Sequence, residues 1–452
     1  MKHYSLITDF GAKADGTTVN TTAIQAAVDR CFESGGGTVL ILPGIFVTGT
    51  IELKSNVTLE LAPGATLRAS RNPADYRKTF PDFDGMIPRT GGGTPFNFNM
   101  DQFLIYALRA RDVEIRGSGT IDAQGGAFYR ETVPGSGKIQ AGPWRPGPTI
   151  AFIGCHGVSL KDFTLRDNPM FGIALMQSKS VMIRGIRLLT NPGFINGDGI
   201  HVKSSCDVII SDCEIDAQDD ALCFYSDFWD WGGAAKLDPM GGDCRNITVS
   251  NCILSSTWNG IRFGYTGSGA IEQIVCSNII VKHAHTAIDF ICNGGYSGFD
   301  DGKTKYTGSK IEKIHVSNFI VQNAVWGIRM NVQPEVSSEA GIRDIMFANV
   351  RIDSQNGCYL SGAEARPICN VTFRDVQLTV NGDIRNAIDT PEVIPIFIGT
   401  LPFRQAMVLR KTRQVRFLNS SVIFPPEAGT WPLELQCEEM IPQEYQLEFR
   451  SR

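Results

Sequence analysis

Residues 246–252 read Asn-Ile-Thr-Val-Ser-Asn-Cys, and residues 273–279 read Gln-Ile-Val-Cys-Ser-Asn-Ile. The same phrase recurs upstream as Ser180-Val-Met-Ile-Arg-Gly-Ile186 and Asp207-Val-Ile-Ile-Ser-Asp-Cys213. Downstream it returns as Lys313-Ile-His-Val-Ser-Asn-Phe319, Asp344-Ile-Met-Phe-Ala-Asn-Val350 and Asn370-Val-Thr-Phe-Arg-Asp-Val376. The second residue marks the register: Val181, Val208, Ile247, Ile274, Ile314, Ile345 and Val371, at steps of 27, 39, 27, 40, 31 and 26 residues. Each copy alternates apolar and polar residues with period two, the pattern of short strands. Fixed-period self-similarity marks a repeat architecture. A strand coil of about 25 residues cannot bury its inner face alone, but stacked coils can, at a strand spacing of about 4.8 Å. The fourth residue after each marker from Val208 on is Asp212, Asn251, Asn278, Asn318, Asn349 and Asp375. Asn and Asp tolerate turn conformations, and stacked side chains there can bond from coil to coil. The repeat therefore predicts an all-β, single-stranded parallel β-helix. The two long steps hold insertions near 227–243 and 294–309, rich in Gly, Asp and aromatic residues.

The flanks fit that plan. A stack needs its open end covered. Thr21–Phe32 carries Ile24, Ala27, Val28 and Cys31 on one helical face, so an amphipathic N-terminal capping helix is expected, with Thr21 or Asn20 as its cap. The last repeat-like segment starts at Gln414, and Pro425-Pro426 opens a C-terminal tail expected to fold back. No linker is visible. The reading is one domain over 1–452: cap and first strands at 1–50, coils at 51–424, tail at 425–452.

Composition narrows the function. Lys plus Arg number 42 against 47 Asp plus Glu, a net charge of −5 without a basic run, which argues against a dedicated nucleic-acid binder. No apolar stretch reaches the roughly 18 residues of a membrane span. The twelve cysteines are scattered and none forms C-x-x-C, so they read mostly as buried free thiols in a reducing compartment. The first residues show no apolar signal core, which reads as cytoplasmic, or as secreted if a signal was removed. Neither a cofactor nor a metal is called for. Clustered carboxylates also suit Ca²⁺, which stays as an alternative.

A family resemblance adds chemistry. Asp9-Phe-Gly-Ala-Lys-Ala-Asp-Gly16 and Gly35-Gly-Gly-Thr-Val-Leu-Ile-Leu-Pro-Gly44 resemble the opening of pectin-degrading β-helix proteins. That opening is shared by hydrolases, lyases and tailspikes, so it speaks to fold rather than reaction. Asn196-Gly-Asp-Gly-Ile-His201 resembles the N-T-D-G-I-D motif of the polygalacturonase family, glycoside hydrolase family 28, and Asp216-Ala-Gln-Asp-Asp-Ala-Leu-Cys223 resembles its D-T-G-D-D-C motif one coil later. The general resemblance runs from about residue 5 to 380 and implies a right-handed coil. It also implies an inverting hydrolase with Asp219 as general acid and Asp198 and Asp220 holding and activating water. Three neighbouring carboxylates cannot all ionise easily, so one should stay protonated.

The departures bear on substrate. The family's G-H-G-G falls at Thr257-Trp-Asn-Gly260, which puts Trp258 at the histidine. Its R-I-K falls at Asp289-Phe-Ile291, with an arginine one coil late in Gly327-Ile-Arg-Met330. Tyr225 replaces the lysine after the double aspartate. Ordinary galacturonan is therefore not the expected substrate. Trp229 and Trp231 in the first insertion, with Trp258, are candidate sugar-stacking groups, and Asn191, Arg262, His285, Asp289 and Arg329 are further substrate-binding candidates. For Asp198, Asp219 and Asp220, ordinary turn chemistry is the plain alternative. The partner expected is an oligo- or polysaccharide, with no nucleic acid and no membrane. A lyase, epimerase or glycosyl-transferring enzyme, or a non-catalytic glycan-binding β-helix, remain the other classes.

Overall fold

A computed structural model describes residues 4–80, 86–88, 97–99, 101–132, 139–226, 242–265, 267–296, 305–383, 385, 399–400, 406–425, 435–437 and 447–451. They fall into two compact units, one ending at Asp219 and one beginning at Asp220.

In the first unit three parallel ladders repeat around each coil. One ladder runs Val57–Leu61, Arg111–Arg116, His156–Lys161, Lys179–Arg184, Cys206–Ser211, and stacks Val113, Val158, Val181 and Val208 in register. A second runs Ala65–Ala69, Thr120–Asp122, Thr164–Arg166, Arg187–Leu189, Glu214–Ala217. The third runs Ile105–Leu108, Ile150–Ile153, Ile173–Met176, Ile200–Lys203. Alternation sends every second side chain inward, so Ile115, Leu160, Ile183 and Ile210 are fully buried in one column. Each such side chain contributes roughly 1.5–3 kcal/mol by leaving water.

The helix Thr21–Glu33 buries Ile24, Ala27, Val28 and Cys31, as its spacing predicts. Its cap differs from the expectation. Asn20 stands at the N-cap without capping: its amide takes the Lys13 N–H (2.7 Å) and donates to the Thr18 carbonyl (2.7 Å). Thr21 Oγ1 instead accepts from the Gly49 N–H (2.7 Å). Both side chains are used to seat the helix on the first coil.

The second unit repeats the plan. Ile247, Ile274, Ile314, Ile345, Val371 and Val415 stack in register, so the sequence markers from Ile247 on are one structural column. The strands here are long, Ala270–Cys292, Lys310–Val332 and Gly341–Ser361, because they run on through the turns. Those turns are bent by Asn278, Asn318 and Asn349 at φ of 56°, 51° and 54°. This is the left-handed region that Asn tolerates best after Gly. Their amides form the expected ladder: Asn278 to Asn251 (3.2 Å), Asn318 to Asn278 (3.1 Å), Asn349 to Asn318 (2.8 Å). Phe347, Phe373 and Phe417 stack inside at 5.1 and 4.9 Å. Leu435–Cys437 and Leu447–Ser451 pair in parallel with Met407–Arg410 and Ser420–Phe424, so the coil pattern continues into the segment read as a tail. The eleven cysteines from Cys31 to Cys369 are free, and most are buried.

Candidate active site

In the first unit the functional groups gather where the Arg187–Leu189 and Glu214–Ala217 strands turn toward the next ladder. Asp198 sits two residues before the strand Ile200–Lys203 and is only 4% exposed. Its Oδ2 is 2.8 Å from His201 Nε2. The imidazole is itself buried and stacks on Phe171, ring centroids 3.8 Å apart. Asp219, less buried, brings a carboxylate oxygen within 4.8 Å of one on Asp198. The backbone fixes that spacing, because Gly197 accepts from the N–H groups of Gln218 (2.9 Å) and Asp219 (3.4 Å). The Asn168 amide donates to the Asp198 carbonyl (3.2 Å).

Tyr129 and Arg145 flank this turn. Arg145 is fully buried, and its guanidinium donates to the Tyr129 hydroxyl (2.6 Å), the Pro169 carbonyl (3.0 Å), the Ile195 carbonyl and Asn196 Oδ1 (3.0 Å). Burial pushes the Tyr129 phenol up to about 12, Arg145 opposes that rise, and the charges of Asp198 and Asp219 add to it.

The second unit starts at Asp220, the next residue of the double aspartate. Asp220 is 1% exposed and held on both oxygens: Oδ2 by Arg262 Nη1 at 2.7 Å, Oδ1 by the Asn259 amide at 2.5 Å and backbone N–H at 3.3 Å. The strands then stack Arg262 on Asp289 and Asp289 on Arg329 in direct register. Arg329 Nε donates to Asp289 Oδ1 (2.6 Å), Nη2 bonds Oδ2, and Arg262 Nε lies 3.5 Å from Oδ2. A buried column of alternating sign results. Burial disfavours the Arg262 charge, but Asp220, Tyr225 and Asp289 outweigh it and raise its pKa well above the usual value. Trp258, half-buried, stacks on His285 with centroids 4.5 Å apart. Burial, helped by Arg329 and opposed by Asp289, lowers His285 to about 4, so the ring is neutral near pH 7.

The candidates named from sequence are thus placed as follows. Asp198 and Asp219 meet in the first unit; Asp220, Arg262, Asp289 and Arg329 form one column in the second, with Trp258 against His285 beside its own strand. The arginine that sequence register put one coil late is the direct neighbour of Asp289. Asn191 is exposed, and its Oδ1 takes the Gly193 N–H (2.9 Å) as a turn residue, not a converging site group. Trp229 and Trp231 lie outside the described residues. His201, Asn259, Tyr129 and Arg145 were missed. His201 and Asn259 were within quoted motifs, where their departure from the family pattern was the signal; Tyr129 and Arg145 carried none. An oxygen cage for Ca²⁺ needs six to eight oxygen ligands. An Asp198 oxygen already bonded to an imidazole suits proton handling better than such a cage.

Comparison with known proteins agrees with the motifs. The model of the family "Glycosyl hydrolases family 28" matches residues 96–228. A probable polygalacturonase of Vitis vinifera is 30% identical over 302 residues, 65% of this chain and 58% of that protein. An exo-poly-alpha-D-galacturonosidase of Dickeya chrysanthemi is 25% identical over 312 residues, 61% of this chain and 50% of that protein. The chain thus spans 58% and 50% of the length of these two relatives. Among solved structures, a family 28 exopolygalacturonase of Yersinia enterocolitica superposes with a TM-score of 0.67 at 18% identity, covering 100% of this chain and 77% of that one. At that identity the likeness speaks for the fold, a right-handed parallel β-helix of pectate-lyase type. Residues 96–228, which hold Asp198, Asp219 and Asp220, match the model of glycosyl hydrolases family 28, and the chain around them is similar to the polygalacturonases.

Proposed function

We propose that the protein is a glycoside hydrolase that cleaves an oligo- or polysaccharide with inversion. Asp219 is the general acid, and Asp198 and Asp220 hold and activate the water. The observation that carries this reading is the pair Asp198–Asp219, with oxygens within 4.8 Å of each other inside the family-matched segment. Two carboxyls that close favour one proton between them, which leaves an acid beside a base. The more exposed Asp219 suits proton delivery to a leaving oxygen, and the buried Asp198, bonded to His201, suits a fixed base. Asp220 is held in place by Arg262 and Asn259.

Inverting carboxyls usually stand about 6.5–9.5 Å apart across the bond, with the water between them. The Asp198–Asp219 oxygens stand closer than that range, so inversion rests on the family resemblance, and the product anomer tests it directly. A β-anomer formed first from an α-linked substrate supports inversion; a retained anomer overturns it.

Ordinary galacturonan is not the substrate we propose. Arg262 and Arg329, two buried arginines of the second unit, are paired with Asp220 and Asp289. A uronate carboxylate would have to compete with both ion pairs. The test is a screen of wild type and Asp219→Asn against pectic, neutral and fructose-based glycans, read by mass and ultraviolet absorbance. Saturated products from wild type, with kcat down at least about 100-fold in Asp219→Asn, support the reading. Unsaturated products would make the protein a lyase. Efficient release of galacturonic acid would refute the substrate part alone.

No described helix is long and apolar enough to cross a membrane. A reducing, cytoplasmic setting is proposed from the free, mostly buried cysteines; extracellular recovery of the protein from its source cells would contradict it.

A further inference from the structure

The first unit contains a device that the acid/base chemistry does not itself use. An antiparallel hairpin, Tyr129–Glu131 with Ile139–Ala141, departs from the coil and returns to it just before Arg145. It packs on the turn 191–197 that leads into Asp198. Tyr129 stacks on Phe194, centroids 4.6 Å apart and rings 15° from parallel. A Cβ at Gly193 would stand 2.8 Å from Ile139 Cδ1, and one at Gly125 would stand 2.7 Å from the Phe194 ring. Both glycines thus make room for the turn to lie flat between the hairpin and the coil.

The polar contacts go to the same turn. The Arg145 guanidinium reaches the Pro169 and Ile195 carbonyls and Asn196 Oδ1, and the Tyr129 hydroxyl lies 2.9 and 2.7 Å from those same two carbonyls. Asn196 stands at φ 57°, in the left-handed region that Asn tolerates best after Gly. The next residue, Gly197, bonds through its carbonyl to the N–H groups of Gln218 and Asp219, and its own N–H donates to Gln218 Oε1 (3.2 Å). Asp198 follows directly. The path from Arg145 to both carboxylates is therefore a continuous chain of bonded groups, two residues long on the Asp198 side.

We propose that Tyr129 and Arg145 are positioning residues that set the separation of Asp198 and Asp219. The guanidinium is a planar fork whose donors meet four separate acceptors, a role a lysine ammonium cannot reproduce in geometry. Misplacement of a reacting group by about 1 Å costs on the order of 100-fold in rate.

The kinetic half of the test rests on the hydrolase reading, so the experiment carries a second readout that does not. Tyr129→Phe, which keeps the stack on Phe194, and Arg145→Lys are compared with wild type on whichever glycan the screen shows to be cleaved. Expected are falls in kcat of about 10-fold and about 100-fold, with KM within about threefold, because the lost geometry matters at the transition state. Crystal structures of the two variants are solved in parallel, and the Asp198–Asp219 oxygen separation is expected to widen beyond the wild-type value. A lower melting temperature with unchanged kcat per folded molecule and an unchanged separation would overturn the proposal. If wild type cleaves nothing, the hydrolase reading fails, while the separation in the variants still decides for or against the clamp.

Discussion

Removing the charge of Asp289 should damage the second unit far more than its position on one strand suggests. Asp289 is 0% and Arg329 1% exposed, and two nitrogens of the guanidinium meet two oxygens of the carboxylate. Two unit charges about 4 Å apart attract by about 4 kcal/mol at an effective dielectric of about 20. Asp289→Asn removes that attraction and leaves the Arg329 charge buried, for a cost of about 3–5 kcal/mol. Arg262 suffers less, since it keeps Asp220 at 2.7 Å against 3.5 Å for Asp289. The double change Asp289→Leu with Arg329→Met removes both charges together and should cost less than either single change. Urea unfolding of wild type, both single variants and the double variant checks this, with native-state dichroism to show that each variant folds. A loss below about 1 kcal/mol in Asp289→Asn, or additive losses in the double variant, would refute the view that this buried pair is tightly coupled.

Three more outcomes follow from the same physics. His285 should remain neutral down to about pH 4. An unfolded histidine takes its proton near pH 6.5, so the folded state loses stability as pH falls from about 6.5 toward 4; NMR titration of the ring checks this, and a midpoint near 6.5 would contradict it. Asn318→Ala breaks bonds to Asn278 and from Asn349 and puts a Cβ-bearing, non-amide residue at φ 51°, for a loss of about 1–2 kcal/mol, while Asn318→Gly should lose less; urea midpoints rank the two. His201→Ala should lower kcat by at least about 10-fold through loss of the bond that fixes Asp198, while substrate KM moves little, and steady-state kinetics read both.

The stack was legible because its chemistry recurs. One residue type at one phase of a repeat, Asn at 251, 278, 318 and 349, dictates both the left-handed bend and the bond to the next coil, and nothing distant alters it. The helix over Ile24–Cys31 was equally plain from its one apolar face. Its cap was not, because propensity places Asn20 at the N-cap while tertiary contacts to Lys13 and Thr18 claim its amide. The aspartates were legible by motif, but their partners were only partly so. Arg329 does stand one coil after Asp289, as its register implied, but only the structure shows that direct pairing turns that step into a buried ion pair. Asn191 looked like a cleft residue because it precedes the motif, yet an asparagine two residues before a glycine closes a local turn as readily. Tyr129 and Arg145 reach the turn before Asp198 from about 50 to 70 residues away, a distance no local pattern reports.

The central claim is hydrolysis at a glycosidic bond through Asp219. Its most direct measurement is the reaction of wild type and Asp219→Asn run in ¹⁸O-labelled water on the cleaved glycan, with products read by mass. The account predicts a saturated product that carries one label at its new anomeric carbon, formed by wild type and nearly lost in the variant. Unlabelled or unsaturated product, or full labelling by Asp219→Asn, would contradict it.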